Sequence, residues 1–240
     1  MGFLPGPPDR PLQRRAALRV YKFLPSNFGI DAIRSRRLKV ALFNELNDPF
    51  EHRAVATNNP ELRRVIDCIV KENKEKLALL CFSKAWSNPV IWSHYAASHT
   101  GLCLGFDISD DLAIEVEYID DRISDRELVE ALISGDLVSG MRAMDAITAR
   151  KWRHWQYEQE VRVVLGIRSQ PENGIFFQSF CDELVLRNVI IGCNCNISRD
   201  EISKALEEGG FLKGNVETFK ARPAFNSFRI VKNQNPALWK

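Results

Sequence analysis

The sequence predicts a single mixed α+β domain, rich in strands and with helices at its periphery. Three observations lead there. Short apolar or alternating runs bounded by Gly, Pro, Asn and Asp recur along the chain, and they are densest in its second half. Only a few segments carry apolar residues at helical spacing. No internal repeat occurs, and no linker-like stretch follows residue 17, so residues 18–240 read as one domain.

Residues 1–17, MGFLPGPPDRPLQRRAA, hold four prolines and two glycines and are expected to form a mobile Pro-rich arm. LRVYKFL alternates as a strand does, and a helix is expected over 29–37. LKVALF is a second strand, leading into the Asn-Asp-Pro turn of NELNDPFEH. In 60–76, Leu62, Val65, Ile66, Ile69 and Val70 fall at helical spacing, with Pro60 at the start. LALLCFS is a continuous apolar run of strand length. Asn88 and Pro89 then open a helix, as cap and first-turn residue, which is expected to run to His99 and close at Gly101. GLCLGFDI and AIEVEYID are the next strands, and helices are expected over about 124–134 and 140–155. EVRVVLGI, IFFQSF and LVLRNVIIG follow as strands. SRDEISKALEEGG is a capped helix, and VETFKAR and SFRIVK complete the sheet.

Composition narrows the function classes. A 45% apolar and 27% charged chain of net charge +2 carries no global drive towards nucleic acid or a membrane surface. Two local basic clusters stand out: Arg10, Arg14, Arg15 and Arg19, and then Arg34, Arg36, Arg37 and Lys39. Each reads as a solvated face. No apolar stretch approaches the roughly 20 residues that span a bilayer, and no signal-like run is present, so no membrane partner is expected. The six cysteines fit no paired framework: Cys81 and Cys103 sit in apolar runs, and Cys193 and Cys195 lack a second pair for zinc. A cytoplasmic location with reduced thiols is expected.

Three segments can carry chemistry. In SNPVIWSHYAASHTGLCLGFD, polar and apolar residues are mixed around the expected helix, which suggests enclosure on most sides. It reads either as a core helix whose Ser93, His94 and Tyr95 find partners, or as one wall of a cleft. His94 and His99 lie five apart, not four, with no carboxylate placed as in HExxH, so no metal is expected there. In WRHWQYEQEVRVV, a strand beginning near Tyr157 would point Glu158, Glu160 and Arg162 to one face. That is either a solvated salt-bridged ladder or a carboxylate pair at the lip of a cleft, able to hold a hydroxyl and face developing positive charge. In LFNELNDPFEH, Asn47, Asp48, Glu51 and His52 cluster on a turn. Asx chemistry explains Asn47 and Asp48, yet a loop position also suits substrate contact. GxxxxGK[ST], GxGxxG and GxSxG are all absent.

Taken in order, YKF, LNDPFE, CFS, NPVIWSHYA..H.GLCLGFD and YEQEVR resemble an uncharacterised bacterial family, the domain-of-unknown-function family 2971, from about Val20 to the end. More loosely, the order of parts resembles an ADP-ribosyltransferase, in which the sheet is split and NAD serves as substrate. That resemblance implies Glu160 as catalytic carboxylate and Glu158 as its acidic companion. Tyr95 would stack on nicotinamide, with Ser93 and His94 on the same cofactor-binding wall. Tyr21 and Lys22 would occupy the place where His or Arg grips the adenosine side. Asn47 and Asp48 are substrate-facing in this reading. The sequence departs from the pattern in having neither His nor a well-placed Arg on the first strand, since Arg19 falls two residues early. The implied activity is ADP-ribosyl transfer or NAD glycohydrolysis in bacterial defence or stress, on a protein, a nucleic acid or water. The alternative is a catalytically silent nucleotide-binding or interaction module. A third possibility, a metal-dependent hydrolase, would draw on Asp48, Glu51, His94 and His99.

Overall fold

The computed structural model describes residues 2–3, 17–42, 45–51, 56, 58–122, 148–167 and 170–239. The expected helix over 124–134, the first half of the one over 140–155, and His52 lie outside them. The chain is mixed α+β and strand-rich. In order run β1 (Gly2–Phe3), β2 (Ala17–Leu24), α1 (Ser26–Arg34), β3 (Arg37–Lys39), β4 (Ala41–Leu42), α2 (Pro60–Lys76), β5 (Leu77–Ser83), α3 (Pro89–Tyr95) and β6 (Leu102–Ser109). Then come β7 (Ile114–Glu115), β8 (Glu117–Ile119), β9 (Arg150–Trp152), β10 (Glu160–Gly166), β11 (Phe177–Ser179), β12 (Leu184–Ile191), α4 (Arg199–Glu208), β13 (Glu217–Pro223) and β14 (Ile230–Lys232).

One ten-stranded sheet dominates, with the order β1-β10-β5-β2-β6-β12-β13-β14, while β4 joins β5 and β7 joins β10. Alternation along β2 and β6 sends side chains to two cores. Val20, Leu104 and Phe106 face one, which α1 and α4 cover through Ile33, Ala32, Ile202 and Ala205. Phe23 and Cys103 face the other, which α3 covers through Ile91 and Trp92. The helices are therefore peripheral. No helix among the described residues is long and apolar enough to cross a membrane.

The sheet is divided. β2 pairs with β6 along its whole length, from Ala17–Ser109 to Leu24–Leu102. β5 pairs with β10 along its whole length, from Ser83–Glu160 to Leu77–Gly166. Between β2 and β5, one pair alone is bridged among the described residues, Tyr21 with Ser83. Beyond it the strands part, and β4 takes up the β5 edge only at Leu79 and Ala78. A wedge of open sheet edge is left between Lys22 and Cys81.

Several boundaries differ from those expected. α1 starts at Ser26, directly after Pro25, because Pro's fixed φ suits a helix entrance. It ends before Arg36, whose φ of 49° is left-handed. α3 stops at Tyr95, and Ala97, Ser98 and His99 follow at φ of 47°, 53° and 70°. The helix is also one-sided: Ile91 and Trp92 are buried, whereas Val90, Ser93 and His94 are exposed, so the expected enclosure on most sides is not found. Residues 150–152 are strand and 153–158 a tight 3₁₀ turn, where a helix to 155 was expected. Within the N-terminal arm, Gly2 and Phe3 pair with Gly166 and Leu165.

Candidate functional site: a cleft at the split of the sheet

The wedge between β2 and β5 opens into a small, half-open cleft of about 210 Å³. β2 supplies Tyr21, Lys22 and Phe23, β5 supplies Cys81, Phe82 and Ser83, and α3 supplies Ile91 and Tyr95. The far wall holds Lys151, Glu158 and Glu160, and residues 45–51 contribute Glu45, Leu46, Asn47 and Glu51. Where β5 lacks a strand neighbour on its β2 side, its Cys81 carbonyl accepts a hydrogen bond from Lys22 Nζ at 2.9 Å. A side chain thus satisfies a backbone group that the split leaves unpaired.

Glu158 and Glu160 reach this wall by a route other than the expected strand. β10 begins only at Glu160. Glu158 ends the 3₁₀ turn, and Gln159 between them turns left-handed at φ 44°. That one residue brings both carboxylates to Lys151, whose Nζ lies 2.7 Å from Glu158 Oε2 and 3.3 Å from Glu160 Oε2. Arg162, two residues along β10 and 0% exposed, clamps Glu160 with two hydrogen bonds of 2.9 Å. It also grips both Glu51 oxygens at 2.9 and 2.8 Å, and donates to the Thr148 carbonyl at 2.6 Å. The face is not a solvated ladder, since Glu158 and Glu160 are each 6% exposed.

Tyr95 extends the network. Its hydroxyl donates to Glu158 Oε1 and accepts from Asn47 Nδ2, linking α3 to the 45–51 segment. The Tyr118 hydroxyl accepts from the Glu160 backbone N–H at 2.7 Å, which anchors the start of β10.

These contacts set the protonation states. Burial alone would push the Glu160 carboxyl up, but the charge and hydrogen bonds of Arg162, with Lys151 behind them, hold it down to about 2. It stays ionised inside the cleft. Burial and the neighbouring Glu158 charge push the Tyr95 hydroxyl well up, so it stays a donor. Burial raises Cys81 to about 12, with Glu160 adding to the effect. Its thiol, half-buried in the cleft wall rather than sealed in the core, is therefore no nucleophile at neutral pH.

Of the residues singled out in the sequence, Tyr21, Lys22, Asn47, Tyr95, Glu158 and Glu160 meet in this cleft. Ser93 and His94 do not: they occupy the exposed side of α3. Asp48 does not either. It is buried and closes its own turn, Oδ1 accepting from Phe50 N at 2.9 Å and its carbonyl from Glu51 N at 3.0 Å. Arg19 is engaged elsewhere, by Asp107 and Asn188 at 2.6 Å each. Sequence reasoning missed Lys151, which fell in an expected helix, and the pairing of Arg162 with Glu51 across 111 positions, which no local pattern announces.

No protein-family model matches the chain, and no curated protein or solved structure is significantly similar to it.

Proposed function

We propose that this cleft binds NAD and that the protein cleaves its nicotinamide–ribose bond, passing ADP-ribose to an acceptor or to water. One observation carries the reading: an ionised, buried Glu160 shares a single cleft with Glu158, Tyr95, Tyr21 and Lys22, at the point where the sheet divides.

The chemistry follows from these groups. When the C1′–N bond breaks, its electron pair leaves with nicotinamide and the ribose becomes cationic. A fixed carboxylate that accepts a hydrogen bond from the adjacent ribose hydroxyl stabilises that cation most where water is excluded. Glu160 is such a carboxylate, prealigned by Arg162. Tyr95 offers an aromatic wall to the cationic nicotinamide. Lys22 supplies positive charge for an anionic part of the dinucleotide. The acceptor oxygen then bonds C1′ and releases its proton to Glu158, a second carboxylate of the same cleft.

A second reading is a silent nucleotide-binding module. It is favoured by the engagement of both Glu160 oxygens by Arg162 and by the lack of His or Arg at the first-strand position of the cleft. Purified protein mixed with NAD, followed by NMR for free nicotinamide beside the Glu160→Gln variant, decides between them. Release by the wild type alone is expected. Shifted NAD signals without release would establish the silent module, and neither release nor shifts would remove NAD from the cleft.

A further inference from the structure

The turn joining β13 to β14 presents two phenylalanines to water. Phe225 is 93% exposed and Phe228 fully so. Single exposed apolar side chains are ordinary, but two aromatic rings on one short turn form a patch. The turn is also basic. The Arg222 guanidinium lies 4.2 Å over the Phe225 ring. Arg229 donates to Ser87 Oγ at 3.1 Å, and the next amide, that of Ile230, donates to the Ser87 carbonyl at 2.8 Å. Those two bonds fix the turn against the entrance of α3. Neither arginine meets a carboxylate among the described residues.

Beneath the turn lies an open hollow that shares no lining residue with the Glu160 cleft. His99 borders it, and its buried Nδ1 has no hydrogen-bond partner. The imidazole is held there by the third of three successive left-handed residues. Its ring is nearly parallel to Trp92 at 6.4 Å, and its carbonyl accepts from Asn194 N at 3.1 Å. Gly192 packs so closely that an added Cβ would sit 2.2 Å from the His99 carbonyl oxygen. Backbone strain of this kind persists only where the surroundings enforce it, and it gathers at binding sites.

We propose that this surface binds single-stranded nucleic acid. Bases stack on Phe225 and Phe228, and phosphates pair with Arg222 and Arg229. Aromatic rings flanked by guanidiniums that meet no carboxylate among the described residues are what a charged, stackable strand requires. A lipid surface fits less well, because Asn226 and Ser227 lie between the two rings in the chain. Insertion would strip water from their polar groups, which base edges instead satisfy.

The test is fluorescence anisotropy of the full chain with short labelled homopolymeric single strands, without NAD. Binding is expected, with duplex of equal length binding more weakly. Phe225→Ala/Phe228→Ala should weaken it by about tenfold or more, as loss of base stacking does. Its thermal melting should not change, because both rings are exposed. Arg222→Ala/Arg229→Ala should flatten the salt dependence by about 1.4 in log–log slope, roughly 0.7 for each phosphate contact. Absence of strand binding, equal binding by the double Phe variant, or Phe-dependent capture of anionic vesicles in place of strands would each overturn the proposal.

Discussion

Arg162 and Glu160 stand two residues apart on the same face of β10 and hold each other through two hydrogen bonds of 2.9 Å. Around that pair, three carboxylates (Glu51, Glu158 and Glu160) meet two cations, Lys151 and Arg162. The cluster is buried and sets three acidic side chains against two basic ones, so its two halves respond differently to mutation.

Glu160→Gln leaves one carboxylate for each cation, Glu51 for Arg162 and Glu158 for Lys151. Its melting temperature should fall, because the neutral amide lacks the charge that Arg162 and Lys151 stabilise, but by less than that of the arginine variant. Arg162→Met instead leaves three carboxylates against one lysine and should cost about 3–5 kcal/mol, as removing one partner of a buried ion pair does. Urea unfolding of both variants checks the contrast. Equal losses would show that the cluster does not depend on its charge balance.

Acid should weaken the protein through Glu160. A glutamate held below its ordinary value of about 4.5 contributes stability that is full above that value and is lost as the pH falls towards its folded value, here about 2. Stability should therefore fall between pH 4.5 and 2 more steeply in the wild type than in Glu160→Gln. Parallel acid-unfolding curves would contradict the buried pairing.

Trp92 is fully buried, donates to the Trp86 carbonyl and meets the Phe23 ring edge-on at 5.2 Å. Trp92→Ala should destabilise by about 3–5 kcal/mol, as large-to-small core changes do. A calorimetric melt within a degree or two of the wild type would refute this packing.

Tyr95→Phe keeps the ring in the cleft wall but removes the hydroxyl that joins Asn47 to Glu158. The expected cost is about 1–3 kcal/mol, the penalty for leaving a buried acceptor short of a donor. Nicotinamide release should fall as well, because Glu158 loses one of its two anchors. Unchanged stability together with unchanged turnover would place Tyr95 outside the network.

Gly101 is required by close approach. A Cβ there would lie 2.2 Å from the Leu24 carbonyl oxygen, so Gly101→Ala must push β2 away from the start of β6. A loss at or above the ~1–3 kcal/mol of ordinary overpacking is expected. Chemical denaturation measures it, and a neutral result would mean that the strand ends yield freely.

What the sequence determined by itself was local. The apolar runs LALLCFS and GLCLGFD became β5 and β6 because their length and composition suit only buried strands. Asn88 caps α3, its side chain accepting from Val90 N, and Ser198 with Glu201 closes the capping box of α4. Glu158 and Glu160 stood out as carboxylates at the spacing of a strand that in fact begins only at Glu160, and their roles, with that of Tyr95, were what the family resemblance implied. Tertiary structure alone decided the rest. The site exists because β2 and β5 part after a single bridge, a matter of strand pairing across 62 positions of chain that no local pattern encodes. Ser93 and His94 ended on the exposed side of α3 because Ile91 and Trp92 claimed the sheet-facing side. Lys151 and Arg162 became the electrostatic centre because the fold brought Glu51, 111 positions from Arg162, to join Glu158 and Glu160 around them. Buried charges persist only where such partners converge, and that convergence belongs to the folded chain rather than to any stretch of its sequence.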